Sequence, residues 1–182
     1  MKTLKPLTIE SVPDNARASM AFVKKRLGSI SNLMATLGNS PAMLNGYLAL
    51  DAAWETTVLT VRERQLVLLT ASVENKCLYC IAAHSTTLAG MRVDAEIIQS
   101  IRNRTPLSHS GLDALVGLTR ELVNERGFVG EAAKKNFFAA GYDEIVLMEI
   151  LIGVALKTMS NYLDHLNPIS IDTVFQEQAQ AR

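Results

Sequence analysis

Apolar residues recur along the chain at helical spacing, and short polar or Gly/Pro breaks interrupt them. Asp14 to Leu27 reads as a first helix, with Ala18, Phe22 and Val23 inward and Gly28 as its stop. Ser40-Pro41 is an N-cap followed by proline at the first helical position, and predicts a helix to about Trp54. Thr60-Val-Arg-Glu63 fits a capping box ahead of the apolar run Leu66 to Val73. Further helices are predicted over Cys77 to Ala89, Asp94 to Asn103, from Ser110 toward Gly127, Glu131 to Ala140 and Asp143 to His165. The Ser110 helix has an apolar face of Leu112, Leu115, Val116, Leu118, Thr119 and Leu122. Pro168 blocks extension of the last helix, and the tail after Asp172 is polar. No segment alternates with period two, so the pattern predicts an all-α fold.

Composition narrows the function classes. The chain has 182 residues, which suits a single domain spanning 1–182. Lys+Arg and Asp+Glu are both 18. This balance argues against a general grip on nucleic acid or on an anionic membrane. Apolar residues make up 48% and aromatic residues 5%, so the core must be aliphatic. Met1 to Arg17 lacks the apolar stretch of an export signal. The apolar stretch Ile145 to Met159 contains Glu149 and Lys157 and is shorter than the roughly 18 residues of a membrane span. A soluble, cytoplasmic protein is expected. Two cysteines are too few for a disulfide scaffold, and in that compartment a pair is redox-active or metal-binding more often than structural.

One stretch carries chemistry: Glu74-Asn-Lys-Cys77-Leu-Tyr-Cys80-Ile-Ala-Ala-His84. On a helix, Cys77, Cys80 and His84 fall at roughly 0°, 300° and 340°, within one face. Cys80 and His84 are i and i+4 neighbours, so the imidazole can reach the second thiol and take its proton. The pair sits at a predicted helix N-terminus, where the dipole and free N–H groups favour thiolate. Cys77 lies nearer that terminus and Cys80 nearer His84, so spacing alone does not rank them. Small buried hydrophobes are the bland reading of two cysteines. A zinc site needs a fourth ligand, and the remaining histidines, His109 and His165, form no ligand-like pair, so no metal is expected.

Cys77-x-x-Cys80-x-x-x-His84 behind a capped apolar helix resembles the AhpD-like, carboxymuconolactone decarboxylase superfamily. Thr60-Val-Arg-Glu-Arg-Gln-Leu-Val is similar to the helix that precedes the motif there. Glu125-Arg-Gly127, Ala140-Gly-Tyr142 and Asn161-Tyr-Leu-Asp-His165 resemble its peroxidase-related members. The likeness covers about residues 40–168, leaving the helix at 14–27 and the tail at 172–182 peripheral. It implies an AhpD-like helical bundle that assembles as a homo-oligomer, trimer or hexamer. It implies an alkylhydroperoxidase-type reduction of small-molecule peroxides by a dithiol–disulfide cycle, with no bound cofactor and an external dithiol as electron donor. It also implies that Cys80 is the nucleophile, Cys77 the resolving thiol and His84 part of the proton relay.

The sequence departs from that pattern at Gln65, where the family's relay begins with Glu. An amide cannot act as a base, so the relay either starts at another carboxylate or is weaker. Glu74 is the nearest candidate, and Glu63 reads as the capping-box residue. Tyr79 can pack or line the pocket, His165 suits a helix C-terminus, and Trp54 is either core or interface. A non-enzymatic, redox-responsive oligomer is the second reading. A carboxymuconolactone-type decarboxylase is the third, and the cysteine pair argues against it.

Overall fold

Capping sets most of the helix boundaries. The computed structural model describes residues 3–180. In chain order these form α1 (Asp14–Leu27), α2 (Asn32–Leu37), α3 (Pro41–Glu55), α4 (Val61–Glu74), α5 (Leu78–Gly90), α6 (Ala95–Asn103), α7 (Ser110–Asn124), α8 (Glu131–Ala139), α9 (Glu144–Leu166), a 3-10 turn (Thr173–Phe175) and α10 (Gln176–Gln180). No strand occurs among the described residues. Thr60 accepts the Glu63 N–H at 3.2 Å, and the Glu63 carboxylate accepts the Thr60 N–H at 2.9 Å, so the predicted capping box is formed. Ser40 caps α3 with Pro41 at its first position. Helix α7 opens at Ser110 as the sequence predicts, and His109 caps it, its Nδ1 accepting the Leu112 N–H at 3.3 Å.

Every residue from Leu66 to Val73 is buried. A helix buried on all sides must be enclosed on all sides, and α4 packs against α5, α6, α7 and α9. It divides two cores. Leu66, Leu69 and Val73 join Ile98, Ile101 and Val116 in the smaller one. Val67 and Leu68 face the larger one, which also holds both cysteines. Each fully buried aliphatic side chain contributes about 1.5–3 kcal/mol. The apolar face read for α7 is buried at all six positions.

Three segments differ from the sequence reading. In α1 the buried positions are Ala16, Met20 and Val23, whereas Ala18 is exposed and Phe22 is 52% exposed. The stripe at i, i+4 and i+7 packs inward, and the Phe22 ring instead lies under the Arg26 guanidinium. Helix α2 was not anticipated. Ser31 caps it, and all five residues from Leu33 to Leu37 are buried. The polar tail does not hang free. Its 3-10 turn and α10 pack on α5, and Arg102 donates to the Gln178 carbonyl at 2.8 Å.

Helix α9 runs for 23 residues, and by length and composition it could cross a membrane. The sequence reading took only its apolar stretch and found it too short. In the fold it lies against α3, α4 and α7, and buries Lys157, Ser160 and Asn161, as a core helix does. Gly153 lets it approach α3 closely: a Cβ there would come within 2.9 Å of the Trp54 ring. Trp54, 2% exposed, is therefore core.

Candidate active site

The turn between α4 and α5 creates the site. Lys76 takes a left-handed conformation (φ 59°), which reverses the chain directly after α4. Cys77 then lies outside α5, as its N-cap, not on its first turn. Its Sγ accepts the Cys80 N–H at 3.3 Å. The capping geometry, rather than a shared helical face, brings the two cysteines together. Neither is in a disulfide, and neither has solvent exposure.

Their surroundings differ. The Cys77 thiol donates to Asp164 Oδ2 at 3.3 Å. It also shares its proton toward Cys80, and this bond, with burial and the nearby negative charges, pushes its pKa well up. Cys80 is pulled the other way, down to about 6. The hydrogen bond from Cys77 is the main cause, and the Lys157 charge, Ser160 and Asn161 add to it against the cost of burial. Lys157 Nζ lies 3.7 Å from Cys80 Sγ, and Ser160 Oγ 3.8 Å. The site is therefore poised with one thiolate and one thiol.

Lys157 is 1% exposed. Burial opposes its charge, but Cys80, Tyr47 and Cys77 outweigh that, and its pKa is held above the ordinary value. Its second partner is His84 Nε2, at 2.8 Å. The other imidazole nitrogen, Nδ1, is 2.9 Å from Gln65 Oε1. A carbonyl oxygen only accepts, so Nδ1 carries the proton and Nε2 offers its lone pair to the ammonium. Burial and the adjacent Lys157 charge keep the imidazole neutral, well below its ordinary pKa. The sequence reading had His84 taking the Cys80 proton directly. Instead both its nitrogens are engaged elsewhere, and Lys157 stands between it and the sulfur.

Glu74, the carboxylate expected to start the relay, is committed elsewhere. Its oxygens accept from Arg120 Nε at 3.0 Å, Arg104 Nε at 3.1 Å and Asn124 Nδ2 at 3.1 Å. The carboxylate that does reach the dithiol is Asp164. Glu63 is held by Thr60 and by the Tyr142 hydroxyl, which donates to it at 2.8 Å. A Glu74→Gln substitution should therefore lower stability by roughly 2–4 kcal/mol, because it strips the charge that pairs two arginines. It should leave thiol reactivity per folded chain unchanged. Urea unfolding and thiol titration on the same sample check both halves.

Tyr79 holds the tail over α5. Its hydroxyl donates to Asp172 Oδ2 at 2.5 Å and accepts the Leu33 N–H at 3.3 Å. Its ring meets Phe175 edge-on, 6.0 Å between centroids. Asp164 Oδ1 accepts the Ile169 N–H at 2.9 Å, so one carboxylate serves both Cys77 and the start of the tail. Beside the site lies a cavity of about 320 Å³ lined in part by Asn75, Arg126, Thr158 and Tyr162. Asn75 Nδ2 donates to Asn161 Oδ1 at 2.9 Å. The Asn161 amide nitrogen is buried with no conventional partner and sits close enough to help hold the Cys80 thiolate. His109 is a helix cap and His165 is exposed beside Tyr162. No group of metal-binding side chains occurs among the described residues.

Comparison with known proteins bears on the fold and on the segment that carries the dithiol. The carboxymuconolactone decarboxylase family matches residues 39–110, from the cap of α3 through the dithiol to the start of α7. No curated protein matches the sequence. Among solved structures, the AhpD core of an uncharacterized peroxidase-related protein from Ralstonia eutropha superposes with a TM-score of 0.82 at 18% identity. That match covers 100% of this chain and 99% of the other. An uncharacterized peroxidase-related protein from a Silicibacter species gives 0.79 at 17% identity, covering 98% and 96%. The debrominase Bmp8, solved with 2,3,4-tribromopyrrole, gives 0.81 at 13% identity, also covering 98% and 96%. Identities this low establish a common fold. The protein has the AhpD-like fold over its whole described length, and its segment 39–110, which contains the dithiol, is similar to the carboxymuconolactone decarboxylase family.

Proposed function

We propose that this protein is a thiol-dependent hydroperoxide reductase that works by a dithiol–disulfide cycle. The observation that carries the reading is the unequal pair: Cys80 held as thiolate beside Lys157, and Cys77 held as thiol against Asp164. A thiolate is the attacking form of cysteine, and a protonated neighbour is what a sulfenic acid condenses with. Cys80 Sγ attacks the terminal peroxide oxygen, the O–O bond breaks, and alcohol and Cys80 sulfenic acid result. Cys77 then displaces water from that sulfur, and the S–S bond closes. An external dithiol supplies two electrons and restores both thiols. No bound cofactor takes part. Oligomer formation and a cytoplasmic setting belong to the same reading.

The test is peroxide turnover with several dithiol donors. Cys80→Ser should abolish it, and Cys77→Ser should consume about one equivalent and stop at sulfenic acid, which dimedone labels and mass spectrometry detects. Unchanged turnover in both variants would end the proposal. Thiol loss that is slow and indifferent to donor would favour a non-enzymatic redox-responsive protein.

A further inference from the structure

The first half-reaction leaves an alkoxide, a strong base, inside a site closed to solvent. Some group must protonate it. The titratable or charged groups around the reacting sulfur are Cys77 from the N-cap of α5, His84 from α5, Tyr47 from α3, and Lys157 and Asp164 from α9. Gln65, Ser160 and Asn161 complete the shell without charge. Asp164 is engaged as a hydrogen-bond acceptor by Cys77 and Ile169, and burial makes the Tyr47 hydroxyl a weaker acid than usual. His84 carries its single proton on Nδ1, turned away toward Gln65. Cys77 needs its own proton for the water released when the disulfide closes. Lys157 has three N–H donors, one directed to His84, and its nitrogen stands 3.7 Å from Cys80 Sγ.

From this arrangement we infer that Lys157 is the general acid of peroxide cleavage, held in place by a neutral His84 that Gln65 orients. The inference rests on the peroxidase reading and assigns the proton that reading leaves unassigned. The step balances. Cys80 thiolate and hydroperoxide give sulfenic acid and alkoxide, and the alkoxide takes a proton from the Lys157 ammonium to leave alcohol and a neutral amine. Cys77 thiol and Cys80 sulfenic acid then give disulfide and water, with no net proton change. On reduction by an external dithiol, the amine regains its proton as Cys80 returns to thiolate. The Cys80–Lys157 pair thus carries both its charges when reduced and neither when oxidised. In neither state is one member of that pair left charged without the other, which is the costly arrangement in a closed interior. Gln65 fits this scheme better than a carboxylate would, since a carboxylate there would favour imidazolium, and imidazolium would repel the ammonium.

Two substitutions separate the acid role from that of a mere counter-charge. Lys157→Met removes both. Lys157→Arg keeps the charge but cannot release a proton. Thiolate absorbance against pH should show Cys80 titrating about 1–3 pH units higher in Lys157→Met and close to wild type in Lys157→Arg. Single-turnover oxidation is then compared at a pH where Cys80 is ionised in every variant. With tert-butyl hydroperoxide, whose leaving alkoxide needs a proton, both variants should slow by about 100-fold. With peracetic acid, whose leaving carboxylate does not, both should stay near the wild-type rate. Unchanged rates with tert-butyl hydroperoxide, or equal losses with the two oxidants, would overturn the assignment. If only one variant folds, the two-oxidant comparison on that variant still decides. Turnover surviving in Cys80→Ser would instead strike the peroxidase reading, so the two failures are distinct.

Discussion

Trp54→Ala should lower the unfolding free energy by about 3–5 kcal/mol, the cost of removing a large aromatic side chain from a packed core. The indole is 2% exposed and lies flush against the backbone of α9 at Gly153, where even a Cβ would collide with it. No neighbouring side chain can swing into the gap from that glycine, so the cavity would stay open. The indole nitrogen is buried with no partner. Trp54→Phe, which removes that polar atom and keeps most of the ring, should therefore cost much less than the alanine variant. Denaturant unfolding of the three proteins measures both differences. A cost below about 1 kcal/mol for Trp54→Ala would mean that the α3–α9 contact is not a core contact.

Alkylation of Cys80 by iodoacetamide should be independent of pH above about 7, and should fall tenfold per pH unit once the solution is more acid than about 6. An ordinary thiol would instead keep gaining reactivity up to about pH 9. Mass spectrometry of the alkylated peptide assigns the profile to Cys80 rather than to Cys77. A rate that climbs steadily through pH 8 would show that Lys157 and Cys77 do not hold the thiolate. The same shift appears in stability. The native state releases the Cys80 proton near pH 6, whereas a thiol in the unfolded chain releases it near its ordinary value of 9.0. Between these values the unfolded chain binds the extra proton, so stability rises with pH across that window and is lost as pH falls through 6. His84 acts in the same sense in more acid solution: the native imidazole stays neutral while the unfolded one charges. Lys157 acts oppositely at the alkaline end. Its folded pKa is raised, so its contribution is complete below about 10.5 and is lost as pH rises through the folded value.

The helices and the dithiol were legible because their signals are local. Ser40-Pro41, the Thr60–Glu63 box and the six-residue face of α7 each lie within about three turns of chain, and each is realised. Helix α2 escaped because six residues are too few to show a period. The face of α1 was misread because Phe22, the bulkiest apolar residue there, finds a partner in Arg26 and stays outside. Site residues that act at a distance were harder. Glu74 looked apt because it is near the cysteines in sequence, but Arg104 and Arg120, 30 and 46 positions away, claim both its oxygens. Lys157 is 73 positions from His84 and 77 from Cys80, and no local pattern announces such a contact. One signal was present: a single cation within the apolar run Ile145 to Met159, where the helix must be buried and a charge must find a partner.

The complete burial of both sulfurs would divide the proposed dithiol–disulfide cycle into halves of unequal structural demand. A hydroperoxide is small enough to diffuse through a fluctuating interior and can react while the fold stays shut. A thiol carried on another protein cannot. To touch either sulfur it must first displace covering chain, and the segment laid over α5 is anchored by Tyr79 to Asp172 and by Asp164 to Ile169. Closing the disulfide would remove the Cys77 proton that Asp164 Oδ2 accepts and leave the bond from Ile169 to Asp164 Oδ1 in place. On the peroxidase reading, oxidation would be limited by molecular size, and reduction by a protein thiol would require that segment to move aside.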